Sequence, residues 1–287
     1  MEFSEDTQNL IDISLREDIG SGDVTTRACV DPAIRGEAII VARSNGLLSG
    51  QHIARHIFKT VDSDSVYAPL REDGNKLESN TQIAEISGRF ASILTAERTA
   101  LNYLMRLSGV ASLTAKFVEK VAHTQCRILD TRKTTPGFRE LEKYAVRCGG
   151  GMNHRTGLYD MILIKDNHIR SAGSLPAALK RCRSYVEALA DPVPIEVEVA
   201  SMPELEQALD AGADWLMLDN MNITQIKTAV ERIRQQDRKI KVEVSGGVSL
   251  DTVASIAECG VDFISVGALT HSARALDLSL NVTRITG

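Results

Sequence analysis

The chain has 287 residues, 43% of them hydrophobic and 25% charged, with a formal net charge of -5 at pH 7. That length supports one large domain or two ordinary ones with a sizeable core, and the composition is that of a soluble globular protein. The negative balance argues against generic binding to nucleic acid or an anionic membrane, so any concentration of cations has to be local. The first twenty residues, "MEFSEDTQNLIDISLREDIG", are acidic and lack the apolar run of a signal peptide. No window approaches 18 consecutive apolar residues. The five cysteines (Cys29, Cys126, Cys148, Cys182 and Cys259) are scattered and form no CxxC pair, which reads as free thiols in a reducing cytoplasm.

Up to about Gly109 the pattern is mixed. An amphipathic helix carrying Leu10, Ile11, Ile13 and Leu15 leads into the loop "GSGDVTT". A strand-like run follows in "GEAIIVARSNGLLSG", then a helix over "QHIARHIFKTV". Further on, an alternating strand reaches Leu94, and Thr95 is placed to cap a helix starting at Ala96. Residues 1–109 therefore read as an α+β domain.

From about Cys126 the rhythm changes. Six short apolar runs begin at 126, 161, 195, 215, 241 and 263: "CRILDT", "MILIKD", "IEVEVA", "WLMLDN", "KVEVSG" and "FISVGA". Helical stretches such as "MPELEQALDAGA" and "SLDTVASIAECG" come between them, a succession that predicts a parallel sheet. No GxGxxG fingerprint follows the first strand, so a closed or nearly closed β/α barrel is favoured over a doubly wound sheet. Alternate strand residues of a barrel face the outer helices and the lumen. With Val197, Val199, Leu216, Leu218, Val242, Val244, Ile162, Ile164, Ile264 and Val266 outward, the lumen receives Glu196, Glu198, Asp219, Glu243, Ser245, Lys165 and Gly267. Several of these stand at carboxyl ends of strands, the face on which parallel barrels carry their chemistry.

Arg132 and Lys133 end the first of these strands, while Arg155 and Lys165 flank the second. Four cations so placed need compensating anions. Asp130, Glu196, Glu198 and Glu243 can supply them internally; alternatively the site takes a polyanionic substrate, with arginine offering a bidentate fork and lysine a point charge. Glu198 and Asp219 end adjacent strands and form a hard oxygen pair suited to Mg²⁺ through a few carboxylates and waters, or they balance Lys165. "VEVSGG" and "SVGAL" end the last two strands in small residues that let a phosphate approach the backbone. His154 and His168 lack a third nitrogen or sulfur ligand at metal spacing. His154 reads as an anion donor or a structural hydrogen-bonding group, and His168 as a loop cap or a substrate contact. Arg98 falls near the expected helix start, where the helix dipole disfavours a cation, a local rule broken as it often is at functional positions.

The segments "LREDIGSGDVTT", "TAERTALNYLMRLSGVAS", "DTRKTTPGFRELEKYAVRCGGGMNHRTGLYDMILIKDNHI", "EVEV", "MLDN", "VSGGV" and "SVGALTHS" occur in the order found in the quinolinate phosphoribosyltransferase family, which the sequence resembles over nearly its whole length. The resemblance implies an N-terminal α/β sandwich domain (1–109) and an incomplete, about seven-stranded β/α barrel (110–269), with the tail 270–287 packed back on the first domain. It also implies transfer of a phosphoribosyl group from phosphoribosyl pyrophosphate to quinolinate with loss of CO₂, Mg²⁺ as cofactor, and a cytoplasmic homodimer in which Arg98 is donated across the interface. By the same resemblance Thr131, Arg132, Lys133, His154, Arg155 and Lys165 hold the carboxylates of quinolinate and part of the sugar donor. Glu198 and Asp219 attend the ribose hydroxyls and Mg²⁺-pyrophosphate, and Ser245, Gly246, Gly247, Val266, Gly267 and Ala268 cradle the 5′-phosphate. Lys165, Glu198 and Asp219 are the catalytic candidates. Three other readings use the same residues: a related transferase with another acceptor, a Schiff-base lyase with Lys165 as nucleophile, and a silent binding protein.

Overall fold

The computed structural model describes residues 4–236 and 239–286. The backbone separates into two compact units, one within Met1–Ala115, Thr134–Gly150 and Leu269–Gly287, the other within Lys116–Lys133 and Gly151–Ala268.

In the first unit the strands are β1 (Arg35–Ala42), β2 (Gly46–Leu47), β3 (Val66–Pro69), β4 (Lys76–Leu77) and β5 (Gln82–Arg89). In the second they are β6 (Arg127–Leu129), β7 (Ile162–Ile164), β8 (Ile195–Val199), β9 (Trp215–Asp219), β10 (Lys241–Ser245) and β11 (Phe263–Ser265). The chain then returns to the first unit as β12 (Leu278–Thr286).

The sheet of the first unit is antiparallel in the order β12-β1-β5-β3, with β2 and β4 paired separately. β1 lies between two partners, and its β-branched run Ile39-Ile40-Val41 is buried on both faces. A helix over Gln51–Val61 presents Ile53, Ala54, Ile57 and Phe58 to the core. Its entry is Gly50 at φ 109°, left-handed backbone that glycine adopts without strain. Asp62 follows that helix with its side chain fully buried, and accepts from Arg89 Nε and Nη2 at 2.8 Å each. This bidentate contact holds the Asp62 carboxyl far below its usual range.

The long helix spans Phe90–Val121 and follows β5 directly. The expectation of a strand to Leu94 and a cap at Thr95 is therefore corrected. Thr95 lies within the helix, and its hydroxyl donates back to Ala91 O (2.9 Å), a bond that satisfies a β-branched polar residue in a helix interior. Arg98 consequently sits well inside the helix, and the dipole argument for it lapses. Similarly, "GSGDVTT" is not all loop: Asp23 caps a short helix over Val24–Cys29 through Thr26 N–H (2.9 Å).

Gly109 ends the first domain in the sequence reading, whereas in the structure the unit boundary falls six residues later, at Ala115 within the same helix. Gly109 has a packing role. A Cβ there would stand 2.1 Å from Arg274 O, so the glycine lets the returning chain pass against the helix. The segment 134–150, read from sequence as barrel, clusters with the first unit. Arg106 explains why: it donates to Glu142 Oε1 (3.2 and 2.5 Å), to Ala273 O (2.9 Å) and to Thr270 O. Glu142 is fully buried and also accepts from Thr135 N–H (3.0 Å).

The second unit is a six-stranded parallel sheet in the order β6-β11-β10-β9-β8-β7 with helices between successive strands. A seventh position, where the resemblance implied a further strand, is a single bridge. Met152 pairs in parallel with Leu129, its N–H donating to Ile128 O (2.8 Å) and its carbonyl accepting from Asp130 N–H (3.1 Å). On the helix side of the strands Val197, Val199, Leu216, Leu218, Val242, Val244 and Ile264 are almost completely buried.

Removing Arg106 leaves a buried carboxylate uncompensated. Arg106→Ala is expected to lower stability by about 3–5 kcal/mol in urea titration, and Arg106→Lys by distinctly less.

Candidate active site

At the carboxyl ends of the parallel strands a cavity of about 350 Å³ is lined by Thr131, Arg132, Lys133, His154, Arg155, Leu163, Lys165, Glu198, Met217, Asp219, Asn220, Ser245 and Ser265. Strand phase builds it. Residues 163 and 165, 217 and 219, and 198, 245 and 265 are the lumen-facing members of β7, β9, β8, β10 and β11 or follow them at the same phase. The size is that of a small-molecule site.

Lys165 and Arg155 at the rim are held by named partners. Lys165 Nζ forms an ion pair with Glu198 Oε2. Lys165 also begins the next helix, its backbone N–H donating to His168 Nδ1 (3.0 Å), so His168 is a cap. Arg155 Nη1 donates to Met161 O (3.1 Å). Partial burial, followed by repulsion from Arg132, brings the Arg155 guanidinium below its ordinary pKa, as expected for two arginines crowded at one rim. Asp219 accepts from the side-chain amide of Asn220 (2.7 Å).

Beneath the rim lies a compartment of acids. Asp130 is fully buried and accepts from His154 N–H (2.9 Å) and Asn153 Nδ2 (2.6 Å), fixing the loop that carries the histidine. The His154 Nδ1 accepts from Arg155 N–H (2.8 Å), which leaves the ring proton on Nε2, facing Glu196 Oε2 at 3.0 Å. Sequence left His154 open between an anion donor and a structural group; in the structure this ring proton is directed at Glu196. Glu196 and Glu243 are both 0% exposed. Burial pushes both carboxyls up, Glu243 to about 8 with the negative charge of Glu196 adding to the effect. Glu196 reaches about 8 as well, its rise opposed by the adjoining Glu243 and then by Lys165 and Arg155. The His154 ring proton, 3.0 Å from Glu196 and 3.6 Å from Glu243, assigns the negative charge to Glu196 and the carboxyl proton to Glu243.

Gly246, Gly247, Val266, Gly267 and Ala268 do not line the cavity; they follow Ser245 and Ser265, which do. Gly246 (φ 90°) and Gly247 (φ 63°) are left-handed, and a Cβ on Gly246 would stand 2.2 Å from Asn220 Oδ1. The Val266 N–H is spent on Leu129 O (2.9 Å), so it belongs to the sheet ladder and cannot serve a phosphate. Arg98 lies in the first unit, its side chain 59% exposed and near Glu97 (3.9 Å). Sequence reasoning missed Asn220, Ser265, Leu163 and Met217. The signal for Ser265, Leu163 and Met217 was present in the strand alternation, and that for Asn220 in its place after Asp219, where it adopts φ 54°.

Family models described as the quinolinate phosphoribosyl transferase N-terminal and C-terminal domains match residues 23–108 and 110–281. The chain belongs to the quinolinate phosphoribosyltransferase family. It is 43% identical over 270 residues to a probable nicotinate-nucleotide pyrophosphorylase (carboxylating) of a Synechocystis species, covering 94% of this chain and 90% of that one. It is 38% identical over 293 residues to a mitochondrial quinolinate phosphoribosyltransferase (decarboxylating) of Nicotiana tabacum, with 96% and 82% covered. A solved nicotinate-nucleotide pyrophosphorylase from Francisella tularensis matches with a TM-score of 0.92 and 42% identity, over 99% of this chain and 98% of that one. The antiparallel sheet unit and the six-stranded parallel unit are the architecture of this quinolinate phosphoribosyltransferase family.

The buried acid gives a pH test. In the unfolded chain Glu243 titrates near 4.5, and in the fold near 8. Between those values the folded chain holds the extra proton, so its stability falls as pH rises, by up to about 1.4 kcal/mol per unit for one proton. Glu243→Gln removes this titration. Its stability relative to the parent is expected to improve from about pH 5 to about pH 8, read from urea midpoints at both.

Proposed function

We infer that this chain transfers the phosphoribosyl group of phosphoribosyl pyrophosphate to the ring nitrogen of quinolinate, with release of pyrophosphate and CO₂, to give nicotinate mononucleotide for NAD biosynthesis. The observation that carries the reading is the convergence of Arg132, Lys133, Arg155 and Lys165 on one cavity with Glu198 and Asp219, in a member of this family. A pyridine dicarboxylate and a sugar bearing two phosphate groups are polyanions, and a cation-rich pocket in an acidic protein is what gathers them. Hydrogen bonds to charged groups contribute about 1.5–3 kcal/mol each, enough in combination to position both substrates.

The residues divide the work by charge. Thr131, Arg132, Lys133, Arg155 and Lys165 hold the carboxylates and orient the ring nitrogen toward the anomeric carbon. As the bond to pyrophosphate breaks, positive charge develops on the ribose, and Glu198 or Asp219 stabilises it. The nitrogen that attacks becomes cationic, and this makes the neighbouring ring carbanion tolerable once CO₂ departs. Decarboxylation therefore depends on placement and electrostatics. Ser245, Gly246, Gly247, Gly267 and Ala268 serve the 5′-phosphate on this reading.

Glu198 and Asp219 offer hard oxygen donors without histidine or thiolate, a set that suits Mg²⁺ retaining some of its waters. They would hold the ion, which when bound supplies neutralising charge to pyrophosphate. Lys165 already pairs with Glu198, so a bound ion would share that carboxylate with the lysine. That same pairing disfavours the Schiff-base reading, because a nucleophilic lysine has to be a neutral amine. Arg98, exposed on its own unit, is the residue donated across a homodimer interface. A reducing compartment such as the cytoplasm suits five cysteines that stand free.

The deciding assay follows CO₂ release from quinolinate, phosphoribosyl pyrophosphate and Mg²⁺, with nicotinate as the control acceptor. Release with quinolinate alone is expected; transfer to nicotinate instead identifies a relative with another acceptor. Lys165→Ala is expected to cut turnover at least about 100-fold with unchanged circular dichroism; undiminished turnover removes it from the site.

Arg98 donation has its own measurement. Inactive Arg98→Ala and inactive Lys165→Ala proteins, mixed and allowed to exchange subunits, are expected to recover about a quarter of parent activity, since half the dimers then hold one intact site. No recovery refutes donation in trans.

A further inference from the structure

Glu243 sits under the cavity floor, and among the described residues the group able to carry positive charge that is paired with it is His154, at 3.6 Å and shared with Glu196. Glu243 Oε1 accepts from Ser265 Oγ, its Oε2 has no hydrogen-bond partner among the described residues, and the whole side chain is buried. The groups facing it are Glu196 on β8, Met217 opposite it on β9, Ser265 on β11, His154 from the loop before β7, and the Cys126 thiol just before β6. Of these, His154 alone can carry positive charge. Its Nε2 lies 3.0 Å from Glu196 but 3.6 Å from Glu243.

One ligand atom each from His154, Glu196 and Glu243 falls within 4.8 Å of the others, a spacing a metal ion also accepts. The histidine argues against a metal. Its Nδ1 already accepts from Arg155 N–H, so ligation through Nε2 would require an imidazolate. What this compartment can hold at low cost is a proton. Two fully buried carboxyls side by side cannot both ionise beside one imidazole, and Glu196 takes the imidazole. Ser265 connects that proton to the outside, because it bonds Glu243 on one side and lines the cavity on the other.

We propose that Glu243 is the proton source for the ring carbon left by CO₂, acting through the Ser265 hydroxyl. This rests on the reaction inferred above. The carbon–carboxylate bond breaks and leaves its electron pair on the ring carbon. The Ser265 hydroxyl, which donates to Glu243 Oε1 at rest, turns to accept from the protonated Glu243 and to aim its own proton into the cavity. The electron pair takes that Ser265 Oγ proton to form the C–H bond, and Ser265 takes the Glu243 proton in the same motion. Glu243 becomes a carboxylate beside the His154 Nε2–H. It regains a proton from water along the same path when the nucleotide leaves, so the cycle balances without any further reactant. Protonation by a held acid is worth about 100- to 10,000-fold in rate.

The test compares the parent with Glu243→Gln and Ser265→Ala in steady-state formation of nicotinate mononucleotide across pH. Both variants are expected to lose at least about 100-fold in kcat while KM for each substrate stays within about 3-fold. The parent kcat is expected to fall as pH rises through about 8, where Glu243 surrenders its proton, and this fall is absent in Glu243→Gln. A folded Glu243→Gln protein within about 3-fold of parent kcat, or with the same alkaline fall, overturns the proposal. So does a fully active Ser265→Ala protein, which decides the matter if the Gln variant does not fold. A parent that forms no nucleotide refutes the assigned reaction and the proton path with it, whereas an active parent with active variants refutes the path alone.

Discussion

A cavity rimmed by arginine and lysine persists only because carboxylates stand close enough to offset the repulsion without filling it. Glu198 holds Lys165 by direct ion pairing. Glu196 takes the His154 imidazole, and Asp130 takes the backbone of the loop that carries it. Asp130 and Glu196 are buried beneath the cavity, and Glu198 lines it beside Lys165, so the rim keeps positive charge for an incoming anion. Each layer is paid for by the one beneath it, down to Glu243, where charge is removed by a proton because the imidazole is directed at Glu196.

This layering follows from the period of a β-strand. Glu196 and Glu198 differ by one repeat along β8, which places one in the dry interior and the other at the mouth. The same offset separates Glu243 from Ser245 on β10. Chemically similar side chains two residues apart thereby acquire different tasks, because desolvation rather than identity sets their charge.

Much of this was legible in the sequence. Alternation in "IEVEVA" and "WLMLDN" placed Glu198 and Asp219 on the lumen side, and the spacing of six apolar runs predicted the parallel sheet. The start of the long helix was not legible, because "FASILT" alternates well enough to pass for the end of a strand, and a threonine inside a helix looks like a cap. The fate of His154 depended on Glu196 and Arg155 together, a three-body arrangement across loop and strand that no local spacing encodes.

The pairing of β12 with β1 bears on how the molecule is made. β1 ends at Ala42 and its partner begins at Leu278, so at ordinary ribosomal speeds one edge of the first sheet waits on the order of tens of seconds for completion. During that interval an apolar strand with open backbone groups is exposed to other nascent chains. Slowing elongation between the two strands would lengthen that exposure, and the yield of folded protein would become a matter of timing as much as of equilibrium.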